Sequence, residues 1–175
     1  MNFYRYVALF SILIISEVFQ TTFFSRLGLP GSTPDLVIVV VAVWALIKGP
    51  AVGAVAGFIA GFLIDVVPPG NHLMGISSIS LGIIGYLIGL VAVGQGRSFF
   101  RPLIISSVVA TTFFLVRTIW AVIGGSDLEL NAFSINFLTQ GLYAAVLTIF
   151  VYPGIAFLDR KLGPVSRADE LRSKF

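Results

Sequence analysis

The chain has 175 residues, 57% of them hydrophobic and only 11% charged, with a mean hydropathy of +1.01 and a net charge of +3. A soluble domain carries about 25% charged residues, so the composition excludes a soluble globular chain and points to the bilayer as solvent. No cysteine is present, which excludes disulfides, thiol chemistry and Cys-based metal sites.

Six apolar segments follow one another, at about 5–25, 35–48, 50–67, 73–94, 101–124 and 134–158. Most are close to the ~20 residues that span ~30 Å of hydrocarbon. The breaks between them carry turn chemistry: GLPGSTPD, KGP, VPPGN, GQGRSFFRP and GGSDLELN. In lipid every backbone group must be satisfied within the chain, so all the segments are expected to be helices. That includes the β-branched run VIVVVAV at 37–43, which would favour a strand in water. The first segment follows Arg5 as a signal peptide would, but it continues through Phe24 with no Ala-x-Ala cleavage site and is read as a retained helix. The second has only 12 uncharged residues, Leu36 to Ile47, or roughly 18 Å of helix. It reads as a short span started by Pro34 or as half of a re-entrant hairpin with the third segment. The hairpin would bury Lys48, which favours the full span.

The expected fold is therefore all-α: a six-transmembrane-helix bundle over residues 1–158, followed by a short basic tail at 159–175. With both termini cytoplasmic, the inner side carries Arg5, Lys48, Arg97, Arg101, Arg160, Lys161, Arg167, Arg172 and Lys174. The outer side carries only Arg26, a strongly positive-inside arrangement. The tail reads as stop-transfer charge, with contact to the inner leaflet or a cytoplasmic partner as the alternative.

Ionisable residues inside apolar runs are functional candidates, because placing one at the bilayer centre costs ~2.5–3.5 kcal/mol on insertion scales. Here they are Glu17 in the first helix, Arg117 in the fifth, Asp65 ending the third, Asp35 starting the second and His72 starting the fourth; Gln20 and Gln140 add neutral polarity. The topology puts nearly all of them toward the outer face. Two readings of Glu17 and Arg117 stand: an ion pair joining helices one and five, or part of a polar pocket opening outward. Asp35, Asp65 and His72 form a candidate partner surface at the outer rim, although Asp35 also sits where an acid suits a helix N-terminus. A lone His with no Cys supports no metal site. Nothing matches a nucleophile elbow, H-E-x-x-H or a P-loop, and GQGRSF does not bind nucleotide, so neither a reaction nor a cofactor is expected.

Gly49, Gly53, Gly57 and Gly61 recur every fourth residue, and Gly82, Gly85 and Gly89 give the fourth helix a small side of its own. Small residues let helix backbones approach in lipid. Packing of helices three and four is the simpler reading; homodimerisation is the sharper one.

From Pro34 to Gly89 the chain resembles the bacterial MreD family of rod shape-determining membrane proteins. The residues that carry this are Pro34-Asp35 leading to WAL, Gly49, Gly53, GFIAGFLID, Gly70, Leu73 to Gly75 and the glycine-spaced fourth helix. The resemblance implies a non-enzymatic scaffold or regulator in the cytoplasmic membrane of rod-shaped bacteria. Its implied direct partner is MreC, with MreB, RodA and a class B penicillin-binding transpeptidase in the same elongation machinery, acting on lateral peptidoglycan synthesis. Asp35, Asp65 and the glycine row match the family pattern; Glu17 and Arg117 are not carried over. The family also looks similar in fold to the substrate-capture subunits of energy-coupling-factor transporters, so the competing function is a small-solute-binding membrane subunit. The Ala-x-x-x-Ala docking pattern of such subunits is absent: Ala8 is followed four residues on by Ile12.

Overall fold

The structure is a computed structural model that describes residues 3–28, 30–31, 33–66, 75–92, 100–125 and 130–162. Its helices are α1 (Phe3–Thr22), α2 (Leu36–Lys48), α3 (Pro50–Val66), α4 (Ile76–Ala92), α5 (Phe100–Ile123) and α6 (Leu130–Leu162), with a 3-10 turn at Phe24–Arg26 after α1. Among the described residues there is no strand. Two stretches, Phe100–Ile123 and Phe133–Lys161, are long and apolar enough to cross a membrane by themselves. The remaining apolar helices are shorter, and α2 is the shortest at 13 residues, roughly 20 Å.

This short helix is the centre of the bundle. Every residue from Val37 to Ala45 is buried. A helix that is apolar all round must be covered on all sides, and α1, α3, α4, α5 and α6 all pack against it. The β-branched run thus forms a helix, as the backbone requirement predicts. Its stiff side chains, each with one preferred rotamer in a helix, lose little freedom when packed. α2 ends at Gly49, whose φ of +90° suits only glycine and whose N–H donates to the Ala45 carbonyl at 2.9 Å. Pro50 then opens α3, a position where its missing N–H is harmless.

α3 and α4 run antiparallel with almost nothing between their backbones. A Cβ added at Gly53 would strike the Gly85 carbonyl oxygen, one at Gly57 that of Leu81, and one at Gly61 that of Ser77. From the other side, Gly85 faces the Gly53 carbonyl and Gly89 faces Pro50. Each step of four residues along α3 meets a step of four back along α4, so the small residues form one continuous seam. α5 and α6 make the second antiparallel pair. Ser107 Oγ donates to the Gly141 carbonyl at 2.7 Å, and the Phe114 and Phe133 rings lie 5.8 Å apart.

The outward faces of the surrounding helices are apolar too. Ile79 is 61% exposed, Leu138 72% and Phe150 73%. A continuous belt of this kind is unfavourable in water and favourable against lipid tails.

Candidate functional site

Contacts of Gln20 with Asp35, Asp65 with Gly75 and Phe114 with Phe133 place the C-terminal ends of α1, α3 and α5 with the N-terminal ends of α2, α4 and α6. At that end Asp35, the residue before α2, is the hub of a polar cluster. Its Oδ1 accepts from Gln20 Nε2 of α1 at 2.9 Å. Its Oδ2 accepts from Gln140 Nε2 of α6. Asp35 does not cap α2 with its own side chain. Gln20 does so from the neighbouring helix: its Oε1 accepts from the Val37 N–H at 3.2 Å, one of the donors that the first turn leaves unsatisfied. The Gln20 amide therefore binds the carboxylate with one end and the helix start with the other.

The segment leading into Asp35 is strapped to α6. Tyr143 donates its hydroxyl to the Pro30 carbonyl at 2.8 Å. Gly31, at φ +85°, sits against Thr139, whose hydroxyl occupies the space a Cβ would need.

Glu17 lies three residues before Gln20, on the same face of α1. It is 8% exposed, and its Oε2 has no hydrogen-bond partner. Arg117 of α5 is within electrostatic reach of both Glu17 and Asp35. The Glu17–Arg117 ion pair that the sequence allowed does not form: among the described residues the ion pair is Lys48 with Asp159. Arg117 instead acts electrostatically on both carboxylates without an ion pair to either.

Asp65 belongs to a different element. Its Oδ2 accepts from the Gly75 N–H at 2.9 Å, the Ser78 N–H at 3.3 Å and the Ser78 hydroxyl at 3.2 Å. It thereby fills the role of a cap on α4 and ties the top of α3 to it. Of the residues expected at the rim, Asp35 is in the hub and Asp65 joins α3 to α4. The third member, His72, lies outside the described residues.

Of the glycines, Gly53, Gly57, Gly61, Gly85 and Gly89 are in the seam. Gly49 makes the turn, and a Cβ there would meet open space. Gly82 stands slightly back, with Ala54 and Phe58 atoms at 3.6–3.7 Å from its would-be Cβ. Because α4 fills the row on α3, no groove remains there for another chain. What remains open is a shallow apolar groove of about 550 Å³ on the outer side of the same pair, lined by Ala54, Phe58, Ile79, Gly82, Ile83 and Tyr86 among others.

At the opposite end of the bundle, Lys48 at the end of α2 pairs with Asp159 of α6, both partly buried. The sequence offered little to find this contact. Lys48 read as a topology charge, and Asp159 read as the first residue of a tail, whereas α6 continues to Leu162.

The family model for the rod shape-determining protein MreD matches residues 1–162. UPF0397 proteins from two strains of Lactobacillus delbrueckii subsp. bulgaricus are each 30% identical to the chain over 132 residues, which is 69% of this chain and 70% of theirs. No solved structure matches. The family match begins ahead of α1 and ends with the last residue of α6, so it takes in the buried helix, the seam and the polar hub together, and the chain belongs to the membrane-associated MreD family of rod shape-determining proteins.

Proposed function

We propose that this chain is a non-enzymatic scaffold of the cell-elongation machinery, binding MreC in the cytoplasmic membrane and helping to control lateral peptidoglycan synthesis. The observation that carries the reading is the family match over residues 1–162. All six helices span the bilayer, with both termini, Lys48 and Asp159 on the cytoplasmic side and the Asp35 hub outward. The short helix α2 spans as a protein-enclosed helix and needs no lipid-matched length of its own. MreB, RodA and a class B penicillin-binding transpeptidase are reached through MreC or beside it.

The surface assigned to MreC's single membrane helix is the groove between α3 and α4. Small residues at its floor, Ala54 and Gly82, allow a close backbone approach, and Phe58, Ile79, Ile83 and Tyr86 supply walls for knobs from a second helix. The test is photocrosslinking from probes at Phe58, Ile83 and Tyr86 in membranes that contain MreC. Adducts with MreC's membrane helix are expected at these positions. Adducts confined to α5 and α6 would overturn the assignment. Affinity capture from the same membranes separates the functional classes: recovery of MreC supports the scaffold, and recovery of an ATPase module or a bound vitamin supports the solute-binding alternative.

A further inference from the structure

The Asp35 hub has a charge problem that its visible contacts do not solve. Two carboxylates, Glu17 and Asp35, share one guanidinium, Arg117, and it forms an ion pair with neither. Asp35 has an amide donor on each oxygen. Glu17 does not: it is more than nine-tenths buried and its Oε2 has no partner. The residues one turn below on the same helices, Leu13 and Phe113, are fully buried and apolar. An ionised carboxylate in such surroundings is strongly unfavourable unless a positive partner meets it.

We propose that Glu17 and Asp35 bind one small monovalent cation, with Arg117 holding the remaining charge balance. The position follows from helix geometry. Glu17 and Gln20 are on one face of α1, and Gln20 already touches Asp35, so the open Oε2 lies in the hub and not on the lipid face. The charge follows from counting: with both carboxylates ionised, two negative groups and one positive group leave a single negative charge for the cation to meet. The chemical class follows from the donors. They are carboxylate oxygens with no His or Cys, which suits a hard ion. A divalent ion asks for six or more oxygens, or a near-ideal octahedron, and among the described residues no three acidic or imidazole side chains gather. Sodium and a protonated primary amine share the required chemistry. The site stands apart from the MreC reading, since it uses α1, α2, α5 and α6 and not the α3/α4 groove.

The test is thermal unfolding of the purified full chain in detergent at constant ionic strength, with sodium, ammonium, methylammonium or choline chloride. Sodium or ammonium is expected to raise the midpoint over choline, with saturation. At 100 times its dissociation constant a single-site ligand raises the folded-to-unfolded ratio about a hundredfold. Stabilisation by sodium alone assigns an alkali-ion site; stabilisation by ammonium and methylammonium but not sodium assigns an amine site. Glu17→Gln is expected to abolish the cation dependence. Should that variant fail to fold, equilibrium binding of radioactive sodium and of methylammonium to the wild-type chain, each competed by the unlabelled ion, decides in its place. Equal midpoints in all four salts, or an unchanged cation dependence in Glu17→Gln, would overturn the proposal. So would stability that acid restores and no cation affects, because a proton on Glu17 would then be the missing charge.

Discussion

The α3/α4 seam makes a quantitative prediction that compares two glycines on facing helices. Gly57→Ala places a methyl group against the Leu81 carbonyl, far inside van der Waals contact, with the Leu81 carbonyl carbon and the Gly82 nitrogen close behind. All of these are backbone atoms, so no side chain can rotate away. Relief requires the helices to separate by about 1 Å, which forfeits a quarter to a half of the dispersion well at each neighbouring contact. Those contacts include Gly53 with Gly85 one turn away and Gly61 with Ser77 one turn the other way. Gly82→Ala meets only ordinary contacts at 3.6–3.7 Å. Both replacements are Gly to Ala within a helix, so the propensity gain of roughly 0.8–1.0 kcal/mol is common to the pair and cancels in their difference. What is left is the overpacking term, about 1–3 kcal/mol, or roughly a 5- to 150-fold difference in folding equilibrium. The assay is equilibrium unfolding in mixed micelles with increasing SDS, followed by tryptophan fluorescence. Trp44, 2% exposed in the core helix, reports loss of packing. Gly57→Ala should fall below Gly82→Ala by that margin. Equal stability of the two variants would refute backbone contact along the seam.

Other consequences follow from the polar contacts. Asp65→Ala removes the acceptor for the Gly75 and Ser78 N–H groups, and should cost about 0.5–2 kcal/mol in the same assay, with Asp65→Asn recovering most of it. Gln140→Leu strips one oxygen of Asp35 of its donor, and the loss should be about 1.5–3 kcal/mol, typical of hydrogen bonds to a charged group. At the other end, Lys48→Met and Asp159→Leu should each destabilise more than the double variant does. A double-mutant cycle should give a coupling of roughly 0.5–3 kcal/mol, because either single change leaves a partly buried charge alone.

How much of this was legible beforehand varies by residue type. The helices were legible, because lipid forces backbone hydrogen bonds inward whatever the side chains prefer. The small-residue row on α3 was legible as a flat face, since periodicity places Gly53, Gly57 and Gly61 together. Which glycines touch a neighbour was not legible. Gly49 continues the fourfold spacing but lies at a turn with φ +90°, and spacing carries no dihedral information. The polar residues were legible as candidates and not as partners. Glu17 and Arg117 looked like a pair because they are opposite charges at similar depth. Depth says nothing of rotation about each helix axis, and the rotation brings Gln20 and Gln140 to Asp35 instead. Lys48 with Asp159 was hidden for a further reason. The contact joins residues on opposite sides of four connections, and the acid stood where the hydropathy had already ended.

The two ends of α2 account for a feature that apolar packing alone leaves undetermined. Along its VIVVVAV stretch a slide of one turn exchanges residues of similar volume and chemistry, so hydrophobic burial there barely distinguishes one depth from another. Polar contacts do distinguish them. At the start, Asp35 and the Val37 N–H are held by Gln20 and Gln140. At the end, Lys48 is held by Asp159. A slide of one turn, roughly 5 Å, breaks both sets at once and leaves charges without partners inside an apolar bundle. Burial therefore supplies the stability of the central helix, while the polar ends supply its register. α6 contributes to both ends, through Gln140 and Asp159, and so acts as the rail against which α2 is positioned. Because α1 and α6 hold the same carboxylate through Gln20 and Gln140, displacing one relative to the other breaks contacts of the Asp35 hub.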